Sequence, residues 1–333
     1  MHVAVDAMGG DHAPRVVVEG AIEAARVPGI GVTLVGAEGP VRDVLARLPD
    51  VSLLDVRVVS ADDVVGMGEA PARALRRKRS SSIGVAASLV ASGEAAALFS
   101  AGNTGATVLA AHAAMGLLDG AERPALAASI PTQRGMAVLL DVGANADCRP
   151  RHLVSFAVMG TAYARACLGV AAPRVGLLSI GEEAIKGNEL VREAHRLLRA
   201  SALQFIGNVE ARDVYSGEAD VVVCDGFTGN VAIKVSEATV AMIEALLIGA
   251  AGVTAGERPA PLLAPDAFES FRRRVDYSEY GGAPLLGVAG VCVVGHGRSS
   301  VRAVRNAIIM AHRLAVSGLV RRVEQELAAL RGT

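Results

Sequence analysis

Lys186 and Asn230 are the residues whose type and setting point most directly to chemistry. Lys186 lies in the polar stretch Gly181 to Asn188 after an apolar run, where an ammonium neutralises a phosphate or a developing oxyanion. Asn230 closes Asp225-Gly226-Phe227-Thr228-Gly229-Asn230, offering an amide donor where a long helical pattern begins, beside that helix's own free N–H groups. Taken singly, Lys186 reads as a solvated helix-face lysine and Asn230 as a helix cap. Their setting recurs, however, in six places where an apolar run ends in a loop of Gly, Asp, Asn or Ser. The other four loops carry Asp6, Gly9 and Gly10; Ser100, Asn103 and Thr104; Asp141 and Asn145; and His296. In an open parallel sheet the strands' carboxyl ends share one edge, so these loops are expected to converge on a single donor-rich crevice that suits an anion.

Other chemistries fit less well. Asp6, Asp11 and His12 are possible metal ligands, but Asp11 before Ala13-Pro14 reads more simply as a helix cap, and no metal is expected. Gly66-Met67-Gly68-Glu69-Ala70-Pro71 begins like a dinucleotide fingerprint and then places Pro where the third Gly belongs. No GxxxxGK[ST] phosphate loop is present, and Leu177 stands where a nucleophile elbow around Ser179 needs Gly.

The elements that must position these loops are short Val/Ile/Leu runs alternating with amphipathic stretches, the pattern of βα units. Strands are expected near 2–6, 31–36, 53–59, 96–100, 136–141, 174–180, 203–207, 220–224 and 289–295. Helices are expected near 13–26, 40–47, 82–92, 103–116, 151–168, 183–200, 229–250, 266–275, 299–317 and 319–330. At 333 residues and 52% hydrophobic, the chain can bury a large core as one α/β domain or two closely joined lobes. With 3% aromatics, no Trp and a net charge of -1, a nucleic-acid partner is not expected. The four cysteines are far apart and read as reduced core residues; Val3 already opens a strand, so no secretory signal is visible and a cytoplasmic protein is expected.

Residues 235–275 break the alternation, with a Pro-rich connection between two helical stretches that suggests an inserted helical hairpin. Its tip carries Val253, Leu262 and Leu263. Packing against a second subunit is the plainer reading of that tip, and contact with a membrane surface the sharper one. Ala238 to Gly256 is interrupted by Glu244 and three glycines, which makes a poor spanning helix.

Longer ordered motifs cover nearly the whole chain: Val5 to Pro14; Arg76, Lys78, Ser81 and Ser82; Ser100 to Ala106; Asp141 to Asn145; Gly176 to Asn188; Asp225 to Asn230; Tyr280 to Gly287; and His296 to Ser300. In these the chain resembles the PlsX family of bacterial phosphate acyltransferases of phospholipid synthesis. The resemblance implies a three-layer α/β/α sandwich with a mostly parallel, Rossmann-like sheet, similar to the phosphate acetyltransferase and isopropylmalate dehydrogenase class. It implies transfer of a long-chain fatty acyl group from acyl carrier protein to inorganic phosphate, giving acyl phosphate, without a cofactor. It also implies a homodimer peripherally associated with the membrane, whose product a glycerol-phosphate acyltransferase uses, and this strengthens the membrane reading of the hairpin tip.

Phosphorolysis of a thioester needs no protein nucleophile, which accounts for the missing triad. Under this reading Lys186 serves phosphate and oxyanion charge, and Asn230 orients carbonyl or phosphate. His296 is a candidate to protonate the departing thiolate, with a turn histidine as the equal alternative. Asp6, Gly9, Gly10, Ser100, Asn103, Thr104, Asn145, Asp225, Gly226 and Thr228 are expected to complete the phosphate and acyl cradle. The basic run Arg76-Arg77-Lys78-Arg79 meets an acidic carrier protein or forms a solvated helix face, and Arg272-Arg273-Arg274 is the other docking candidate. Alternatives are a phosphate acyltransferase acting on coenzyme A thioesters, a dehydrogenase on the related fold, and a non-catalytic membrane-docking scaffold that binds the carrier.

Overall fold

The computed structural model describes residues 1–249 and 281–331. Eleven strands form one sheet: β1 (His2–Asp6), β2 (Gly31–Gly36), β3 (Val56–Ser60), β4 (Ala97–Ser100), β5 (Ala125–Thr132), β6 (Gly135–Leu140), β7 (Val175–Leu178), β8 (Phe205–Val209), β9 (Val221–Val223), β10 (Ala283–Leu286) and β11 (Val291–Val294). Their order across the sheet is β3-β2-β1-β4-β11-β10-β5-β6-β9-β7-β8. Inner strands such as β1, β2, β4 and β11 are buried along their whole length, as continuous Val/Leu/Ala runs covered on both faces must be.

Successive side chains of these strands divide between two layers. Val3, Val5, Phe99 and Val293 enter a core with α1 (Arg15–Ala25), α2 (Glu38–Leu45), α6 (Pro150–Cys167), α9 (Val301–Ser317) and α10 (Leu319–Arg331). Ala4, Leu98, Cys292 and Val294 face α4 (Ser82–Ala91) and α5 (Thr104–Met115), with α3 (Pro71–Arg77) packed beside α5. Further along the second face, Leu139, Val222 and Cys224 meet Ala232 and Ile233 of α8 (Gly226–Gly249). The result is the expected three-layer α/β sandwich. Gly160 lets α6 sit directly on the sheet, because a Cβ there would come within 2.6 Å of Val221 Cγ1 and 2.9 Å of Leu140 Cδ2.

Two strands absent from the sequence reading, β5 and β10, change its main geometric conclusion. β3, β2, β1, β4 and β11 are mutually parallel, and so are β6, β9, β7 and β8. Between these blocks, β10 is antiparallel to both β11 and β5, and β5 is antiparallel to β6. The two blocks therefore run in opposite directions. The carboxyl ends of β1, β4 and β11 lie on one edge and those of β6, β7 and β9 on the other, so the six loops form two groups rather than one. Residues 183–188, expected as the start of a helix, instead form turns before α7 (Glu189–Arg199), and α3 is a further short helix. α1 begins at Arg15 with Pro14 at its N-cap and no side-chain cap, so Asp11 does not cap it. Of the expected hairpin, α8 runs unbroken through Gly249; Val253, Leu262, Leu263 and the 266–275 helix lie outside the described residues.

Candidate active site

At the β1–β4–β11 edge the turns are locked together by a short polar chain. Ser100 is fully buried; its hydroxyl donates to Asp6 Oδ2 (2.7 Å) and accepts from the Gly102 amide (3.1 Å). A Cβ on Gly9 would come within 2.6 Å of Asp6 Oδ2 and 2.8 Å of the Gly102 nitrogen, so only glycine lets the two loops approach this closely. Gly10 takes φ 115°, and the next amide, that of Asp11, donates to the Gly297 carbonyl (2.8 Å), drawing in the His296 loop. Asn103 caps α5 by accepting from the Ala106 amide (3.1 Å), while its Nδ2 donates to the carbonyls of Met67 (2.9 Å) and Glu69 (3.2 Å). Thr104, the first residue of that helix, is exposed. Burial raises the pKa of Asp6 against the lowering effect of the Ser82 and Ser100 hydroxyls and the Met8 and Gly9 amides, and its Oδ1 is buried without a hydrogen-bond partner.

The β6–β9–β7 edge is built around Asp141, which the sequence reading placed in a motif without assigning it a role. Its carboxylate, fully buried, accepts from Leu126, Gly143 and Ala144 amides at Oδ1 (3.0, 3.1 and 3.0 Å) and from the Asn145 amide and Nδ2 at Oδ2 (2.7 and 2.9 Å). Burial still leaves its pKa raised. Asn145 Nδ2 also donates to the Pro124 carbonyl (2.7 Å), so both its amide donations are made inside the fold. The Asn145 carbonyl accepts from the Gly226 amide (2.8 Å), seating the start of α8 on this turn. Glycine is required there: a Cβ on Gly229 would lie 1.9 Å from the Asp141 carbonyl oxygen, and one on Gly226 2.6 Å from the Asn145 carbonyl oxygen. Asp225 accepts from the Thr228 amide (2.9 Å) and hydroxyl (2.7 Å), closing the first turn of the helix.

Asn230 is exposed and stands over Gly143, with its Cγ and Oδ1 3.8 Å from where a Gly143 Cβ would be. Lys186 is also exposed, in the loop between β7 and α7. Since β9 lies between β6 and β7 with all three parallel, the loops of Asn145, Asn230 and Lys186 rise side by side from one edge, with strands about 4.8 Å apart. No described contact joins Lys186 to Asn230.

A residue missed from sequence joins the two edges. Glu237 lies seven residues after Asn230 on α8, two turns along the same face, and its Oε1 is 3.4 Å from His296 Nε2. The His296 contact is the main reason its carboxyl is held below the usual range. A lone acid within a helix gives no local sign of such a partner.

Burial disfavours the thiolate form at every cysteine. All four cysteines are free, and burial pushes the Cys148 and Cys292 thiols up to about 12, that of Cys167 to about 11, and Cys224 well above its ordinary value. Among the described residues no group of three or more His, Cys, Asp or Glu is gathered as a metal site. In the basic run, Arg76, Arg77 and Arg79 are exposed, whereas Lys78 is half-buried, paired with Glu69 and donating to the Val64 carbonyl (2.6 Å).

Comparison with known proteins fits this architecture. The streptococcal (Streptococcus pyogenes) phosphotransacetylase structure superposes with a TM-score of 0.63 at 17% identity, covering 95% of this chain and 94% of that one. The 4-hydroxythreonine-4-phosphate dehydrogenase of Klebsiella pneumoniae gives 0.53 at 16% identity, covering 95% and 99%. At these identities the likeness establishes the fold alone. In sequence, residues 1–322 match the family model described as fatty acid synthesis protein. The phosphate acyltransferase of Citrifermentans bemidjiense is 50% identical over 327 residues, 98% of this chain and 93% of the relative. With agreement at that level from end to end, the chain belongs to the phosphate acyltransferase family and is an acyltransferase.

Proposed function

We propose that the enzyme transfers a long-chain fatty acyl group from acyl carrier protein to inorganic phosphate, forming acyl phosphate for phospholipid synthesis. The observation that carries this reading is the placement of exposed Lys186 and Asn230 on adjacent loops that rise from one edge of the sheet. A phosphate oxygen attacks the thioester carbonyl, the carbon–sulfur bond of the tetrahedral intermediate breaks, and the thiolate takes up a proton. Lys186 offsets the charge of phosphate and the developing oxyanion, Asn230 orients the carbonyl or phosphate, and the first turn of α8 contributes N–H donors. His296, held by Glu237, is the proton source for the thiolate. Asp6, Gly9, Gly10, Ser100, Asn145, Asp225, Gly226 and Thr228 shape the turns, with Asn103 and Thr104 at the start of α5.

The same reading takes the protein as a homodimer in peripheral contact with the membrane through residues 235–275, passing its product to a glycerol-phosphate acyltransferase. It is supported by an apolar side of α8, where Phe227 is 66% exposed and Leu246 61%, with Val231, Val235 and Met242 also exposed between them. Among the described residues no helix is long and apolar enough to cross a membrane.

The test is thiol release from long-chain acyl carrier protein with and without inorganic phosphate, run in parallel with a coenzyme A thioester. Phosphate-dependent release with the carrier substrate, accompanied by acyl phosphate, is expected; release from the coenzyme A thioester alone would overturn the carrier assignment. Lys186→Ala and Asn230→Ala are each expected to lower turnover by about 100- to 1000-fold in folded protein, and near-normal turnover in both would remove their assignment.

A further inference from the structure

The loop that carries Lys186 is tied down from inside the fold by two buried polar residues. Asn208, on β8, is 6% exposed, and its Nδ2 donates to the Glu183 carbonyl (2.9 Å). That carbonyl also accepts the Lys186 amide (2.9 Å), so both its lone pairs are used at the first corner of the turn that ends at Lys186. Asn208 Oδ1 lies 2.9 Å from Nδ1 of His195 on α7, itself 7% exposed and set edge-on against Phe205 with ring centroids 5.1 Å apart.

The hydrogen-bond directions follow from this arrangement. Turning the carboxamide over would place its oxygen against the Glu183 carbonyl, so Nδ2 must face Glu183 and Oδ1 must face the imidazole. An amide oxygen only accepts; His195 Nδ1 therefore carries a proton. His195 Nε2 is buried without a partner, so the ring serves as a fixed donor to Asn208 rather than as a relay to a further group. The other side-chain ties described for this loop come from exposed residues, Arg192 to the Gly187 carbonyl (2.7 Å) and Arg212 to Glu182 (3.0 Å). Two apolar side chains would pack between α7 and β8 without the cost of burying polar groups. What Asn208 and His195 add is control of one loop carbonyl.

We infer that Asn208 and His195 are positioning residues for Lys186: His195 fixes the Asn208 carboxamide, and Asn208 fixes the turn that sets the ammonium against phosphate. This rests on the role given to Lys186 above. A shift of about 1 Å in a catalytic group costs on the order of 100-fold, so Asn208→Ala and His195→Leu are expected to lower kcat/KM for phosphate by about 10- to 100-fold. His195→Asn, whose Nδ2 replaces the Nδ1 donor, restores most of that loss. The backbone amide of Lys186 exchanges hydrogen faster in Asn208→Ala while the amides of β7 keep their protection.

The deciding measurement is a double-mutant cycle with Lys186→Ala. If Asn208 acts through Lys186, adding Asn208→Ala or His195→Leu to Lys186→Ala changes the residual rate by less than about twofold. Losses that multiply, or wild-type kcat/KM in folded Asn208→Ala, would overturn the inference. If Asn208→Ala does not fold, the contrast between His195→Leu and His195→Asn in both backgrounds decides it. Near-normal activity in Lys186→Ala alone would instead defeat the role of Lys186, an outcome distinct from failure of the anchor.

Discussion

Asp6 and Asp141 are both buried carboxyls at the carboxyl ends of strands, one in each block of the sheet, yet the protein completes only one of them. Asp141 collects five hydrogen bonds and organises the turn on which α8 starts. Asp6 accepts from Ser100 at Oδ2 and leaves Oδ1 buried without a partner. Burial raises both pKa values, so the difference lies in what surrounds the oxygens rather than in depth. The Asp141 turn is a finished structural part, while the Asp6 turn keeps an unsatisfied acceptor beneath the Gly9, Gly10 and Gly102 loops.

The largest effect is expected at Asp141. Asp141→Asn turns an acceptor that receives N–H groups into a donor facing them, and unpaired buried donors cost roughly 1–3 kcal/mol each, so urea denaturation is expected to show a loss of about 3 kcal/mol or more. Asp6→Asn keeps one oxygen for the Ser100 hydroxyl and turns its amide toward fewer close donors than Asp141 meets, so a smaller loss than at Asp141, about 1–2 kcal/mol, is expected. Equal losses at the two positions would break the comparison.

The pH dependence sharpens it. A carboxyl whose folded pKa is raised binds a proton in the folded state that the unfolded chain has already released. Its contribution to stability therefore falls as pH rises from the ordinary carboxylate range through the raised folded value. Asp6→Asn and Asp141→Asn each remove such a contribution, so both are expected to improve relative to wild type across this window, Asp141→Asn from a much lower starting stability. Glu237 has the opposite sign: its lowered pKa gives stability that is present above the unfolded value and lost as pH falls through the folded one. Glu237→Gln is expected to flatten that acid limb and to release His296.

The smallest effects belong to the basic run. Lys78→Ala removes the pair with Glu69 and is expected to lower the melting temperature slightly, in a way that salt abolishes. Replacing Arg76, Arg77 and Arg79 together leaves stability unchanged and, if this face meets the carrier, raises KM for the carrier substrate more at low salt than at high salt.

Legibility from sequence followed how locally each feature is determined. Strands buried on both faces, such as Val3 to Asp6 and Val291 to Val294, announce themselves as unbroken apolar runs. β5 reads Ala-Leu-Ala-Ala-Ser-Ile-Pro-Thr, poor in β-branched residues, and β10 is four residues long; both owe their state to partners rather than propensity. Without them the reversal between blocks was invisible, and the loops were assigned to one edge. Lys186 and Asn230, the residues proposed to act on phosphate, stand out in the sequence as polar residues after a strand. Asn208 and His195 were not, since a strand asparagine and a helix histidine carry no sign of the loop they hold.

The two antiparallel strands also set an order of assembly. β10 and β11 come after the 182 residues, 101–282, that follow β4, yet they fill the space between β4 and β5. While the chain is being made, each block grows with one raw edge, β4 on one side and β5 on the other. Such edges are templates for pairing with the wrong chain until the last strands arrive. A ribosome-bound chain halted before Ala283 is thus a pair of unfinished sheets, and the seam that joins the halves is the last part of the sheet to be laid.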